Sequence, residues 1–188
     1  MVFVDRESVP SLDEERQRYL EHHNDIRDPR YRAFLGRVID PLYKRLSPPA
    51  QGLDFGSGPN PVLADLLRNA GYHVEIFDPI FAPNSGQLGR GYDFVTAVEV
   101  VEHFHFPWRE FELLSRLLLP GGWLAISTYL YNDDTDFTSW HYARDATHVC
   151  FYHRQTFRWI SERFPLELDE SHNNVTLLRR RHDDNTSA

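Results

Sequence analysis

Glu99-Val100-Val101-Glu102-His103 sets two carboxylates and an imidazole within five residues. On a helical turn, positions i, i+3 and i+4 share a face, so Glu99, Glu102 and His103 would converge. A second imidazole, His148, lies in Arg144-Asp145-Ala146-Thr147-His148, just ahead of the aromatic pair Phe151-Tyr152. Imidazole titrates near neutral pH, so His103, His148 or the neighbouring His141 suits removal of a proton from an acceptor atom. Plainer roles exist for each: Glu99 lining a ligand pocket, Glu102 capping the region of the Pro107 helix, His103 walling the pocket, His148 held as a hydrogen-bonded loop histidine.

Such residues act only where a scaffold holds them. Leu53-Asp54-Phe55-Gly56-Ser57-Gly58-Pro59-Asn60 reads as a buried strand, a glycine turn and the start of a helix. Gly56 and Gly58 let the backbone turn tightly and let a ligand lie against it. Asn60 suits the cap of the next helix and Pro61 its first position. Leu63, Leu66, Leu67 and Ala70 fall on one helical face, and Gly71 suits the stop. A second strand, residues 72–77, ends at Asp78. Strand, glycine turn, helix, strand, carboxylate is the layout of a nucleotide-binding half, in which the acid accepts hydrogen bonds from a ribose. A dinucleotide site prefers Gly-x-Gly-x-x-Gly, and Pro61 stands where the last glycine belongs, which counts against a nicotinamide-dependent oxidoreductase.

Asp54-x-Gly56-x-Gly58 instead resembles the first motif of class I S-adenosylmethionine-dependent methyltransferases, departing from the fuller form at Asn60, where a third glycine is usual. The succession that follows is similar to the central half of that family: strand 93–98, the EVVEH run, a helix from Pro107 with Phe111, Leu114 and Leu118 at helical spacing, Pro120-Gly121-Gly122, and strand 123–128. The resemblance covers residues 52–128. It implies an α/β fold, a three-layer doubly wound, mostly parallel sheet, with ligands outside the carboxyl ends of the strands. It implies that Asp54, Phe55, Gly56, Gly58, Asn60, Asp78, Pro79 and Glu99 surround S-adenosylmethionine, with Asp78 on the ribose and Asp54 ordering the turn or reaching the ammonium through water. Glu99-x-x-Glu102-His103 with the distant His148 also resembles the pattern of metal-dependent O-methyltransferases, the ubiquinone-pathway and small-RNA 2′-O enzymes among them. That likeness implies a divalent ion on Glu99, Glu102, His103 and His148, close to the acceptor oxygen. Carboxylates and imidazoles suit Mg²⁺, Mn²⁺, Fe²⁺ or Zn²⁺, and an ion there lowers the pKa of an acceptor hydroxyl.

The remaining chain completes the picture. Residues 1–49 are expected to be a helical preface, 50–181 the catalytic core and 182–188 a mobile tail, all within one domain. Ser11-Leu12-Asp13-Glu14 has the form of a capping box opening a helix to about residue 24. Asp28-Pro29 opens another helix, with Phe34, Leu35, Val38, Ile39 and Leu42 on its apolar face and a bend at Pro41. This preface covers the sheet edge, or else Tyr19, His22, His23 or Asn24 forms a lid on the cofactor. Only fourteen residues separate Asp78 from Asp93, so a third strand and its preceding helix are expected to be reduced or absent. Residues 129–153 read as a long polar and aromatic loop, with Trp140, His141 and Tyr142 as pocket candidates. Phe104, Phe106 and Trp108 read chiefly as packing. A helix at 155–164 and strands 166–169 and 175–178, joined at Asn173-Asn174, close the fold.

The chain has 188 residues, 41% of them hydrophobic and 14% aromatic, enough for a real core. A net charge of −8 argues against a large phosphate-binding footprint. Cys150 stands alone, which excludes an internal disulfide and a cysteine-rich zinc site. No apolar run spans a bilayer and residues 1–10 lack a signal-peptide core, so a cytoplasmic enzyme is expected. The sequence reads as a methyltransferase acting on an oxygen of a small molecule. Its rivals are an RNA 2′-O-methyltransferase, a nicotinamide-dependent oxidoreductase and a cofactor-binding protein without turnover. The acceptor and the oligomeric state are not legible in it.

Overall fold

The computed structural model describes residues 1–21 and 25–182. Its chain runs β1 (Val2–Phe3), α1 (Leu12–Leu20), α2 (Pro29–Tyr43), β2 (Gln51–Phe55), α3 (Val62–Asn69), β3 (His73–Phe77), β4 (Tyr92–Val98), α4 (Pro107–Leu117), β5 (Leu118–Ser127), β6 (Leu130–Tyr131), β7 (Cys150–His153), α5 (Arg154–Arg163), β8 (Leu166–His172) and β9 (Val175–Arg180). The main sheet has the order β3-β2-β4-β5-β9-β8. β3, β2, β4 and β5 pair in parallel, and β9 enters antiparallel between β5 and β8.

Alternation along the central strands makes three layers, because successive side chains leave a strand on opposite faces. Val95, Ala97, Leu124 and Ile126 join Phe111 and Leu114 of α4 and Phe157 and Ile160 of α5 in one core. Phe94, Trp123 and Ala125 join Leu35, Val38, Ile39 and Leu42 of α2 and Leu63, Ala64 and Leu67 of α3 in the other. Those four α2 side chains, at about 1.5–3 kcal/mol each when buried, outweigh the cost of about 3 kcal/mol for a proline inside a helix. The helix accordingly continues through Pro41 to Tyr43.

Both N-terminal helices begin as expected. Ser11 and Glu14 form the capping box of α1, and Asp28 accepts from the Arg30 N–H with Pro29 in the first turn of α2. α1 is assigned only to Leu20, and residues 22–24, with the lid candidates His22, His23 and Asn24, lie outside the described residues, as does 183–188 of the tail. Between β3 and β4 there is a 3₁₀ turn, Ser85–Gly89, and an isolated bridge between Asp78 and Ala82. The third strand of the expected layout is absent there, which leaves β3 at the sheet edge.

Three expectations change. β5 begins at Leu118 and carries Pro120, Gly121 and Gly122 within it. Arg180 lets it start so early: its guanidinium donates to the carbonyls of Ser115, Arg116 and Leu118, satisfying the end of α4. Second, residues 129–153 are not one irregular loop. β7 pairs with β1 antiparallel and with β6 in parallel, and a 3₁₀ turn spans His141–Arg144. Strands of two residues carry too little periodicity to be seen in sequence. Third, only Phe104 of the post-EVVEH aromatics is core; Phe106 and Trp108 are exposed. The closing hairpin turns through Asn173 and Asn174 with φ of 51° and 64°, the left-handed pair that a tight hairpin needs.

Candidate active site

The carboxyl ends of β3, β2 and β4 lie side by side in the sheet, and the space outside them is the candidate cleft. Gly56 follows β2 with φ 76°, and its N–H donates to the Phe77 carbonyl at 2.7 Å, tying the turn to the end of β3. A methyl group on Gly56 would stand 2.4 Å from a Val100 side-chain carbon, so glycine is what lets the EVVEH run close against the turn. Gly58, with φ 65°, has open space where a side chain would be. Ser57 Oγ is buried beside it without a hydrogen-bond partner among the described residues.

Asp78 organises this turn. Its Oδ2 accepts from the Gly58 N–H at 2.9 Å, and its Oδ1 from the N–H groups of Ile80 and Phe81 at 2.8 and 2.9 Å. A carboxylate accepts about four hydrogen bonds, so roughly one position remains for a ligand hydroxyl. Asp54 sits beneath the turn, 4% exposed. It accepts from Thr96 Oγ1 at 2.8 Å and from the Ala64 N–H in the first turn of α3. Burial pushes it up to about 6. This explains how α3 starts. Its cap position is Pro61, which offers no side-chain acceptor, and Asn60 is exposed one residue earlier. The expected Asn60 cap is thus replaced by a carboxylate from the neighbouring strand. Phe55 is core, its ring 5.3 Å from Phe77 and 6.2 Å from Phe104, so only its backbone borders the cleft. Pro79 is exposed next to Asp78.

The acceptor side is built differently. Glu99 follows β4 with φ 53°, a left-handed backbone that is costly for a residue with a side chain. Only Val101–His103 then forms a 3₁₀ turn. Glu99 therefore does not share a helical face with Glu102 and His103 as the spacing suggested; the kink brings it round. Its Oε1 accepts from Ser127 Oγ at 3.0 Å, and its Oε2 lies 3.1 Å from the Tyr142 hydroxyl. The same hydroxyl approaches Glu102 Oε1 at 2.6 Å and Thr128 Oγ1 at 3.2 Å. Glu102 is fully buried, and its Oε2 has no hydrogen-bond partner among the described residues. Burial pushes both carboxyls upward, and for Glu99 the charge of Glu102 adds to it.

His103 Nδ1 lies 2.8 Å from the Thr147 carbonyl and His148 Nδ1 2.7 Å from the Tyr142 carbonyl. A carbonyl only accepts, so each Nδ1 carries a proton and, in the neutral ring, each lone pair is on Nε2. The rings meet edge to face at 4.9 Å. Burial and the neighbouring His103 push His148 down to about 4. One ligand atom from each of Glu102, His103 and His148 lies within 4.8 Å of the others. Each imidazole is oriented by an Nδ1–H held on a backbone carbonyl, as outer-shell partners orient metal-ligating histidines, and the Glu102 oxygen nearest His103 Nε2 is Oε1, at 4.0 Å. Glu99 is outside this trio. His141 is exposed and packs against Tyr129 at 5.7 Å, away from the trio.

The N-terminal helices cover the cleft. Tyr19 of α1 stands edge-on to His103 at 5.2 Å and to Phe81 at 6.5 Å. α1 is anchored by Arg18, which donates twice to Asp145 Oδ2 at 3.0 and 2.8 Å, and by His105 to Glu15 at 2.8 Å. Tyr31 of α2 is pushed up to about 12 by burial and by the charges of Asp54 and Glu99. Sequence reasoning missed Tyr31 entirely. It took Tyr142 only as an aromatic wall; no local signal reports a hydroxyl that meets carboxylates 40 and 43 residues away.

Residues 26–171 match a family described as a methyltransferase domain. No curated protein matches the chain. Among solved structures, the fold resembles the Burkholderia thailandensis 1,6-didemethyltoxoflavin-N1-methyltransferase bound to 1,6-didemethyltoxoflavin and S-adenosylhomocysteine, with TM-score 0.67, 16% identity, and 96% of this chain and 94% of that one covered. An O-methyltransferase family protein of the same organism follows at TM-score 0.60 and 19% identity, covering 95% and 66%. A Haemonchus contortus phosphoethanolamine N-methyltransferase, in complex with phosphomonomethylethanolamine and S-adenosylhomocysteine, follows at 0.56 and 14%, covering 71% and 38%. At these identities the likeness is one of fold.

Proposed function

The chain belongs to the methyltransferase-domain family, and from that premise we propose that it moves the methyl group of S-adenosylmethionine to an oxygen of a small molecule, beside a divalent ion. The observation that carries the reading is the contact of the two half-sites. Val100 lies directly on Gly56, so the cofactor turn and the acceptor cluster share one wall. The space beside Gly58, the partnerless Ser57 hydroxyl and the remaining position on Asp78 suit the ribose and amino-acid portions of the cofactor.

The solved relatives include proteins named for nitrogen and for oxygen methylation, so the choice of oxygen rests on the cluster. Glu102, His103 and His148 would hold the ion, which supplies the Lewis acidity that lowers the pKa of an acceptor hydroxyl. The chain's own part is positioning. Tyr142 and Ser127 fix the carboxylates, and Tyr19 covers His103 from the solvent side. Exclusion of water and in-line alignment are what methyl transfer from a sulfonium needs: the S–CH₃ bond breaks as the O–CH₃ bond forms, and the hydroxyl proton leaves.

The test is calorimetry on chelator-treated protein, titrated first with S-adenosylhomocysteine and then with Co²⁺, followed by a transfer assay over hydroxylated and aminated small molecules. Saturable binding of both, with metal-dependent transfer to hydroxyl acceptors, is expected. Cofactor binding with metal-independent transfer to nitrogen would overturn the oxygen and metal parts. Stabilisation by nicotinamide cofactors alone would overturn the whole.

A further inference from the structure

We propose that the outer face of the α4–α5 layer, centred on Trp108 and Trp159, is a docking surface for an acidic amphipathic helix of another protein. The apolar stripes of both helices are already committed to the sheet: Phe111 and Leu114 of α4 and Phe157 and Ile160 of α5 lie in one core. Trp108 and Trp159 stand off those stripes, 45% and 49% exposed, a placement that packing on the sheet does not require. They are neighbours nonetheless. The two rings lie 5.9 Å apart, and Trp108 also lies 5.0 Å from Phe164. A tryptophan buries about 150–250 Å² when covered, so about 100 Å² of each is left for a partner. Contiguous exposed aromatic surface of this kind marks an interaction site.

The charges around the pair select the partner. Arg109, Arg116, Arg154, Arg158 and Arg163 are the exposed cations of the two helices, and none of them is in an ion pair among the described residues. The exposed carboxylates among them are Glu112 and Glu162. The whole chain carries −8, so this layer is a basic face on an acidic protein. Arg163 lies over the Trp108 ring at 5.2 Å, and Arg109 over the Phe106 ring at 5.2 Å. A guanidinium stacked on a ring is held in place with its N–H edge open to a carboxylate, which it takes bidentately. Tryptophan anchors rimmed by arginine are the composition of interface hot spots. The matching partner lays apolar side chains on the rings and carboxylates on the guanidiniums, as an acidic amphipathic helix does. Glu112 and Glu162 interrupt the cations, and the Trp108 ring is held against Phe164 and under Arg163; both count against an anionic bilayer and against a phosphate backbone.

The experiment titrates the full chain with a synthetic amphipathic peptide of about five helical turns, leucine on one face and glutamate on the other, and follows tryptophan emission. The comparisons are the same peptide with lysine for glutamate, phosphatidylglycerol vesicles and a single-stranded oligonucleotide. Saturable binding of the glutamate peptide with a blue-shifted emission is expected, weakening as salt rises from about 0.05 to about 0.5 M. Trp108→Ala and Arg163→Glu should each lower the affinity at least about tenfold. Arg32→Glu, the same reversal at an exposed position of α2 in the opposite layer, should leave it within about threefold. Should far-UV circular dichroism show that the Trp108 variant has lost its fold, Trp159→Ala takes its place. A loss in Arg32→Glu equal to that in Arg163→Glu would reduce the effect to overall charge and overturn the proposal. So would absence of saturable binding, or tighter binding of the lysine peptide, the vesicles or the oligonucleotide. A dimer of the unaltered chain that Trp108→Ala abolishes would show that a second copy covers the face, and would overturn it as well.

Discussion

Asp78 and Glu102 are both buried carboxylates beyond the carboxyl ends of β3 and β4, the two strands that flank β2, yet their surroundings treat them oppositely. Asp78 receives three backbone N–H groups. Glu102 has the Tyr142 hydroxyl on Oε1, and its Oε2 has no hydrogen-bond partner among the described residues. The first is scaffold that orders the turn. The second keeps an oxygen bare at the expense of stability, the usual exchange at a functional site, and on the proposed reading an ion would offset that cost. Substitutions should therefore move stability in opposite directions on the two sides of the cleft.

The largest effect is expected at Asp78. Asp78→Ala strands three N–H groups that the carboxylate satisfies, and each orphaned group costs about 1–3 kcal/mol, so a loss of about 3–5 kcal/mol follows once part of the strain relaxes into water. Denaturant unfolding reads this, and calorimetry with S-adenosylhomocysteine should show binding weakened at least about tenfold. A variant as stable as the parent, or one that binds cofactor equally well, would show that Asp78 is not the organiser of the turn.

Asp54 sharpens the contrast through pH. Burial raises it to about 6 in the folded protein, opposed by Thr96, Ala64 and the charge of Arg68 and reinforced by Asp78. A carboxyl whose folded value lies above its unfolded value of about 4 stabilises the fold at low pH, and that contribution is lost as pH rises from about 4 to about 6. Asp54→Asn remains neutral throughout. Its stability minus that of the parent should grow across this window, reaching at most about 3 kcal/mol at neutral pH, since each pKa unit is worth about 1.36 kcal/mol. A flat difference would mean that Asp54 ionises without cost.

On the other side, Glu102→Gln in metal-free protein should raise stability by about 0.5–2 kcal/mol, because the amide bears no charge to be kept out of water. On the proposed reading the same change should also abolish Co²⁺ binding. A loss of stability at this position would say that the bare oxygen has a partner after all and would erase the contrast with Asp78.

The difference between the two sides also explains what could be read in the sequence. The glycine turn is local: Gly56, Gly58 and Asp78 follow from backbone conformation and strand order, and the missing third strand follows from a count of residues. The six-stranded sheet, the Asp28-Pro29 start of α2 and the Asn173-Asn174 hairpin were legible for the same reason. The acceptor side depends on distance. The spacing of Glu99, Glu102 and His103 suggested a helical face, whereas the left-handed kink at Glu99 and the side chain of Tyr142 decide where the carboxylates go. Likewise the α3 cap comes from Asp54 in a strand, not from the adjacent Asn60. Periodicity reports which face is apolar; it does not report which distant polar group will meet which.

The smallest effect on stability, and the one most telling about the cover, is expected at Arg18. Its side chain is 43% exposed where it meets Asp145, so solvent screens the pair and Arg18→Ala should cost only about 0.2–1 kcal/mol. The functional effect should be larger than the energetic one. Arg18 neighbours Tyr19, which stands against His103, and loosening this end of α1 removes the Asp145 anchor while that of His105 on Glu15 remains. Acceptor KM should rise severalfold, with cofactor affinity unchanged because the Gly56–Asp78 turn is untouched. Because Asp145 also accepts from the N–H and hydroxyl of Thr147, whose carbonyl holds His103, Asp145→Asn is the sterner version of the same test. It keeps an acceptor for Thr147 but removes the charge that draws Arg18. If Asp145→Asn and Arg18→Ala raise KM equally and the double variant adds nothing further, α1 acts as a cover latched by that one ion pair; additive effects would make the two residues independent and leave the cover without its latch.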